Sequence, residues 1–254
     1  MVSVSVVTVV KDDSAGLSTT CESLLEQIYA DWELIIVTAE SQDDTFLVAN
    51  RFQDIDSRIH TYQQEGAGIY EAMNEGIEKV TGEFIWFMNA GDNFVSPSVL
   101  AHAVEEMRRA NVGVLVGGYQ IINGSSNPTF QAREGNITLQ NFAFTRRGGC
   151  HQAMIFSSKV LKDVGGFNTA YSLASDFDLV LRIIKKAGAK RVSKIYAAVQ
   201  PGGRADQGIF LVHRQKHQIR QKLLGGPIIS VASLLWTVLA RAKIISRRIL
   251  GIGM

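Results

Sequence analysis

Apolar positions in the first third of the chain follow two alternating rhythms. Short runs rich in β-branched residues, at 2–10 and 33–38, and an aromatic run at 83–89 have the pattern of parallel strands buried on both faces. A more alternating stretch at 58–63 predicts a further strand. Helical spacing fills the gaps. Residues 14–28 place Leu17, Cys21, Leu24, Leu25 and Ile28 on one face, while 43–52 and 68–80 read as two more helices, with a break at Gly82. The resulting order, β-α-β-α-β-α-β, predicts an α/β fold built on a doubly wound, mostly parallel sheet. Ligands of such sheets bind beyond the carboxyl ends of the strands. Chemistry is therefore expected in the loops after Val10, Val37 and Met88.

The second half is less regular. Strands are expected near 112–122 and 152–156, with a turn at 123–128 and a second break at Gly165-Gly166. Ser175 is positioned to cap a helix in which Asp178 pairs with Arg182 four residues on. There is neither an internal repeat nor a low-complexity segment.

Composition narrows the class. With 254 residues, 46% hydrophobic and 20% charged, the chain is too apolar for intrinsic disorder and long enough for one sizeable α/β domain, alone or with an appendage. Two cysteines, Cys21 and Cys150, make neither a disulfide scaffold nor a metal pattern, and read as reduced thiols. The net charge of +2 conceals an asymmetry. Residues 1–206 hold 18 Lys+Arg and all 24 Asp+Glu, whereas 207–254 hold 8 Lys+Arg and no acid. A mildly acidic body with a basic, apolar end suggests an anionic partner near the C-terminus. The first ten residues have no basic leader and read as a strand, so a cytoplasmic body is expected.

Three segments could carry chemistry. Asn89-Ala90-Gly91-Asp92 ends an aromatic strand and delivers an amide and a carboxylate into a tight loop. Asp92 suits a hard divalent cation that bridges a diphosphate; the plain alternative is a solvated Gly-Asp turn. Asp176 could serve as a general base, or simply complement a helix dipole. The glycine-containing stretch 66–74 runs into a helix N-terminus and could receive phosphate or ribose oxygens, though it matches neither the dinucleotide nor the P-loop fingerprint. Cys150-His151-Gln152 reads more readily as structural than as a catalytic Cys-His pair, and no serine-nucleophile motif is present.

Taken together, these segments resemble the family 2 glycosyltransferases, in the branch that builds bacterial exopolysaccharides, O-antigens and colanic-acid-type polymers. The opening strand 4–10, the strand 32–37 with Ser41-Gln42-Asp43-Asp44-Thr45, the segment Gly68-Ile69-Tyr70-Glu71-Ala72-Met73-Asn74, and Phe87-Met88-Asn89-Ala90-Gly91-Asp92 resemble family motifs. So do His151-Gln152, Gly165-Gly166-Phe167 and Ser175-Asp176-Phe177-Asp178, in the family's order, over about residues 2–205. The resemblance implies a GT-A type, Rossmann-like fold, a nucleotide-diphosphate-sugar donor, Mn²⁺ or Mg²⁺, and inversion at the anomeric carbon by a hexosyltransferase-type enzyme. Carried over, Asp92 ligates the metal and Asp176 takes the acceptor's proton. Thr8, Val10, Lys11, Thr38, Glu40, Gly68, Glu71, Asn74, Asn89, Ala90 and Gly91 bind the nucleotide sugar, with Asp12 beside Lys11. His151, Gln152 and Ser175 face the acceptor. Two positions depart from the family pattern. Thr38 stands where an acid usually contacts base or ribose, with Glu40 as a substitute nearby, and Asn89 replaces the first acid of the metal motif.

The resemblance divides the chain into a catalytic domain at 1–206, with a nucleotide-binding half at about 1–95 and an acceptor half at about 96–206, and a basic helical segment at 207–254. Beyond Gly225-Gly226, the apolar stretch 228–240 is shorter than the roughly 20 residues a membrane span requires. Val231, Leu234, Leu235, Val238, Ala242, Ile245 and Ile249 follow helical spacing down one side, and Ser230, Ser233, Thr237, Arg241 and Arg248 down another. That pattern is a basic amphipathic helix lying in an anionic membrane interface; a helix packed on the body or at a dimer contact is the alternative. With Trp236 as its one aromatic side chain, the segment is poorly suited to nucleic acid. The expected acceptor is a lipid-linked saccharide and the expected location the inner face of the cytoplasmic membrane. Two competing functions are a nucleotidyltransferase, whose Gly-rich basic loop is absent at 10–14, and a catalytically degenerate sugar-nucleotide scaffold.

Overall fold

The computed structural model describes residues 2–122, 128–131, 133–144, 149–201, 208–225, 231, 233–235 and 238. The expected turn at 123–128 lies outside them except for Pro128, as does most of the expected tail helix.

The first half follows the expected alternation: β1 (Val4–Val10), α1 (Ser14–Leu25), β2 (Trp32–Thr38), α2 (Thr45–Ile55), β3 (Ile59–Gln63), α3 (Ile69–Lys79) and β4 (Phe84–Phe87). Helix α1 ends three residues before Ile28. The chain turns away at Glu26, so Ile28, expected on the buried face, is 72% exposed. The second half adds β5 (Asn93–Phe94), α4 (Val99–Ala110), β6 (Val114–Ile121), β7 (Thr129–Phe130), β8 (Gly135–Asn136) and α5 (Leu139–Phe144). A 3₁₀ turn at His151–Ala153 then leads into β9 (Met154–Ser157), α6 (Ser158–Asp163), α7 (Ser175–Ala187), β10 (Ala189–Val199) and α8 (Ile209–Leu224).

One sheet runs through both halves, in the order β3-β2-β1-β4-β9-β6-β10-β5. Strands β3, β2, β1 and β4 are parallel, β9 is antiparallel to both its neighbours, and β10 is parallel to β6. Alternating side chains feed two cores. Val7, Val9, Ile35 and Val37 pack with Met73 and Ile77 of α3 and with Leu179 and Ile183 of α7. Val4, Val6, Leu34 and Ile36 pack on the opposite face with Leu17 and Leu24 of α1 and with Leu100 and Val104 of α4. The molecule is thus a three-layer α/β/α stack.

Helix α8 belongs to this body. Val212, Gln215, Ile219 and Arg220 form its buried face, and Arg220 Nε donates to the Ala143 carbonyl at 2.7 Å. Burial brings the Arg220 pKa down to about 10. The basic segment expected from 207 onward therefore begins with a helix docked on α5 and α7.

Polar ties hold the second half to the first. Asn74 Nδ2 donates to the Phe167 carbonyl at 2.9 Å, and its Oδ1 accepts from the Phe167 amide at 2.8 Å. The preceding Gly165 and Gly166 both have positive φ (83° and 66°), and a Cβ on Gly166 would meet Asn74 Oδ1 at 2.6 Å. Arg182 fixes the same turn, donating to the Val164 and Gly166 carbonyls (2.6 and 2.7 Å) and to buried Asp178 (2.7 Å). The expected Asp178–Arg182 pair is present. The expected Ser175 cap is not, because Ala174 occupies the cap position and Ser175 is the first helical residue. Replacement of Asn74 by Ala is expected to reduce stability by about 1–3 kcal/mol, since it leaves the Phe167 amide and carbonyl without partners; urea unfolding measures it.

Candidate active site

The carboxyl ends of the parallel strands form one edge of the sheet, and a continuous cleft opens there. It consists of two cavities of 640 and 630 Å³ that share Val9, Val10, Lys11 and Ile69 as walls.

The first cavity lies between the loop after β1, the loop after β2 and the N-terminus of α3. Lys11, Asp12, Glu40 and Gly68 line it. Asp12 has φ 50°, an unusual backbone state for a non-glycine residue. It is held there by the Gln42 amide, which donates to its carboxylate at 2.6 Å, and by Ser41 Oγ, which accepts from its own amide at 3.1 Å. Asp43 accepts from Ser14 N and from both Thr45 donors, and these bonds keep its carboxyl at about 2. The two loops are therefore locked together below the cavity. Gly68, at the cap of α3, has φ 119°, a conformation open to glycine alone.

The second cavity gathers a further set of ionisable groups from both halves of the chain. Asn89, Ala90 and Asp92 enter from the loop after β4, His151 and Gln152 from the turn before β9, Asp176 from the first turn of α7, and Lys216 from α8. Asp92 is 5% exposed. Its Oδ1 accepts from the Gln200 amide at 2.8 Å and its Oδ2 from Gln152 Nε2 at 2.7 Å. Burial outweighs these bonds and raises its pKa. The loop is fixed from behind by Thr20 Oγ1, which donates to the Asp92 carbonyl at 2.7 Å, and by the Gly91 amide, which donates to the Gly16 carbonyl at 2.9 Å.

Asp176 is a third exposed, and its Oδ2 lies 3.8 Å from His151 Nδ1. Burial works against its ionisation, but neighbouring His151, the Lys216 charge and the Phe177 amide together hold its carboxyl below the ordinary range. His151 Nε2 lies 3.3 Å from Asn89 Nδ2. With the amide donating there, a neutral imidazole carries its hydrogen on Nδ1, facing Asp176. Asn89 Oδ1 is buried and has no hydrogen-bond partner. Cys150 donates to Gln152 Oε1, and burial pushes its thiol pKa up, so it is no thiolate nucleophile. Among the described residues no three His, Cys, Asp or Glu side chains form a metal-holding group.

Known proteins share this architecture. The glycosyl transferase family 2 pattern matches residues 5–171. The chain belongs to that family. It is 28% identical over 170 residues to a PGL/p-HBAD biosynthesis glycosyltransferase of Mycobacterium bovis, covering 66% of this chain and 64% of that protein. It is 32% identical over 111 residues to the Escherichia coli UDP-Glc:alpha-D-GlcNAc-diphosphoundecaprenol beta-1,3-glucosyltransferase WfgD, 43% of each chain. Among solved structures it resembles residues 1–349 of Staphylococcus aureus TarS (TM-score 0.74, 18% identity, 97% of this chain and 73% of that one). It also resembles the mannosyltransferase PcManGT of Pyrobaculum calidifontis, solved with GDP-Man and Mn²⁺ (TM-score 0.67, 16% identity, 96% and 75%). The fold is the GT-A type expected from the sequence.

In this family 2 chain, Val10, Lys11, Glu40 and Gly68 come together in the first cavity, and Asn89, Ala90, Asp92, His151, Gln152 and Asp176 in the second. Other expected site residues lie elsewhere. Thr8 is fully buried within β1. Thr38 is 1% exposed and its hydroxyl donates to the Tyr62 carbonyl at 3.3 Å. Asn74 is occupied with Phe167, the Glu71 carboxylate lies beside Gly68 and does not line either cavity, and the Gly91 amide is tied to the Gly16 carbonyl. Ser175 is completely buried and does not line the cleft. Lys216 and Gln200 join the cleft without having been expected there. Lys216 does carry a signal in the sequence: with Val212, Gln215 and Ile219 it falls at i, i+3, i+4 and i+7, a cation on the inner face of a helix.

The raised carboxyl of Asp92 has a consequence for stability. Above both its folded and unfolded pKa values, the ionised group is less favourable in the folded chain. The ligand-free protein is therefore expected to gain stability from Asp92 as pH falls from 7 through the raised pKa, and this part of the pH dependence should be absent in Asp92→Asn. Thermal unfolding across pH tests both.

Proposed function

We propose that the chain is an inverting glycosyltransferase that moves one sugar from a nucleotide-diphosphate sugar to a hydroxyl of a saccharide acceptor, with Asp176 as general base. The observation that carries this reading is the convergence of Asp176, His151, Asn89 and Asp92 on one cavity that shares its wall with a second, nucleotide-sized one. The first cavity would take the nucleoside, with Glu40 serving the ribose or base in place of buried Thr38, and Lys11 the diphosphate.

An acceptor hydroxyl seated at Asp176 gives its proton to a carboxylate that His151 and Lys216 keep ionised. The oxygen then attacks the anomeric carbon on the face opposite the departing diphosphate, which inverts the centre. Positioning of both reactants in one cleft removes much of the entropic barrier. Mg²⁺ or Mn²⁺ fits the residues present: the unpartnered Asn89 Oδ1 and the Asp92 carboxylate are hard oxygen ligands, and a cation on a diphosphate takes its remaining ligands from phosphate and water. Bound there, it would neutralise the charge that builds on the leaving group. The WfgD similarity supports a lipid-linked acceptor in surface polysaccharide synthesis, and the basic end of the chain supports work at an anionic membrane face. Among the described residues no helix is long and apolar enough to cross a membrane.

Asp176→Asn is expected to lower kcat by about 10²–10⁴, the usual contribution of a positioned base, while nucleotide affinity stays within a few-fold. Retained turnover in that variant would overturn the assignment of the base. A thermal-shift panel of UDP, GDP, CDP and dTDP, each with and without Mn²⁺ or Mg²⁺, identifies the donor's nucleotide. The matching pair stabilises by about 2.7 kcal/mol at 100-fold excess over Kd, and the metal-dependent part disappears in Asp92→Ala. Nucleotide binding with no transfer from any sugar donor would instead favour a degenerate scaffold.

A further inference from the structure

Beyond Gly225 the described residues show the reverse of a core pattern. Val231, Leu234, Leu235 and Val238 are helical, stand at i, i+3, i+4 and i+7, and are 58, 54, 58 and 54% exposed. Ser233 falls on the opposite side of that helix and is fully buried, with its Oγ 2.8 Å from His217 Nδ1 of α8. The polar side chain faces the body and a row of large aliphatic side chains faces outward. A contiguous apolar row of this kind marks a surface that another phase or molecule covers.

Charge decides between the possible occupants. Residues 226–254 hold 4 Lys+Arg and no Asp or Glu. A second copy would bring the same positive charge against this one, and like-charge contact opposes such a pairing. An anionic lipid surface satisfies both features at once: cations attract the headgroups, and the aliphatic row enters the acyl boundary.

We propose that the face formed by Val231, Leu234, Leu235 and Val238 is the docking surface of this protein on an anionic phospholipid bilayer. The inference deepens the lipid-linked acceptor reading, and in its purpose it rests on it: a body docked by this face works where such an acceptor resides. The outward aliphatic row and the inward Ser233 set the orientation, with α8 between the bilayer and the catalytic body.

The test is co-sedimentation of the full chain with vesicles of phosphatidylglycerol and phosphatidylcholine, and of phosphatidylcholine alone, with no nucleotide sugar present. Binding is expected to the phosphatidylglycerol vesicles and to weaken as salt rises. The double variant Leu234→Asp, Leu235→Asp is expected to bind at least tenfold more weakly, because each leucine side chain contributes substantially on leaving water, with an unchanged Tm. Failure to sediment with phosphatidylglycerol vesicles, or equal binding by the variant, overturns the proposal. So does a wild-type dimer in light scattering that the variant dissociates, which would give the row to a second copy. A lowered Tm in the variant overturns it as well, by giving the row to the chain's own remaining residues. Transfer to a soluble acceptor analogue, assayed in parallel, separates the two readings. Transfer without vesicle binding removes only the docking surface, whereas vesicle binding without transfer removes the transferase.

Discussion

Strand β1 is hydrogen-bonded in parallel on both sides, to β2 from Val4–Trp32 to Val10–Thr38 and to β4 from Val4–Phe84 to Val7–Phe87, and all seven of its residues are buried. That double pairing sets three strand ends at one height. A slip of one residue would turn Val7 and Val9 into the opposite core and carry Lys11 and Asn89 out of line. Beneath it, Glu33 accepts from the Thr81 amide at 2.7 Å and Thr81 Oγ1 at 3.0 Å, and pairs with Ser5 Oγ, which in turn accepts from the Gly82 amide at 2.8 Å. A small buried polar knot at the amino end of the strands therefore pins the register that aligns the groups at the carboxyl end.

The reversed direction of β9 is the second determinant. Because β9 runs antiparallel to β4, with Phe84 opposite Ser157 and Trp86 opposite Ile155, its leading residues arrive at the edge where β4 finishes. His151 and Gln152 meet Asn89 and Asp92 for that reason, although their strand begins far along the chain. Trp86 strengthens the meeting: its indole Nε1 donates to the Gln152 carbonyl at 2.7 Å. A helix that returns across a sheet starts at the same edge, which brings Asp176 to the mouth of the cleft. The electrostatics follow. One carboxyl, enclosed among neutral donors, is raised; the other, next to an imidazole and an ammonium, is lowered.

The repeating strand–helix half was legible because each element there carries its own period, and buried parallel strands are apolar on both faces. The Asn89–Asp92 and His151–Gln152 segments were legible as motifs because both sit at strand ends. Thr38, Asn74 and Ser175 show what spacing cannot reveal. Each lies beside the cleft in sequence, yet its side chain turns into the body to satisfy a partner or to fill space, and that choice depends on tertiary neighbours. Lys216 shows the converse, since its approach to Asp176 is set by how α8 docks, through Arg220 on the Ala143 carbonyl of α5 and through Gln215 on the Leu173 amide just before α7. Short elements such as β5 and β8 exist only because longer strands offer them an edge to pair with.

The placement of β9 between β4 and β6 also bears on how the chain is made. During synthesis the first four strands emerge as a unit that can pair among themselves, but the free side of Phe84–Phe87 has no neighbour until Met154–Ser157 leave the ribosome. For that interval an aromatic strand edge stands open, with both of its faces destined for the core, and such an edge readily pairs with another chain. The turn that carries His151 and Gln152 into the cleft thus leads directly into the strand that closes the nascent sheet. A chain halted before that turn would lack His151, Gln152 and Asp176 from the cleft and would keep that edge open, and so would be prone to aggregate.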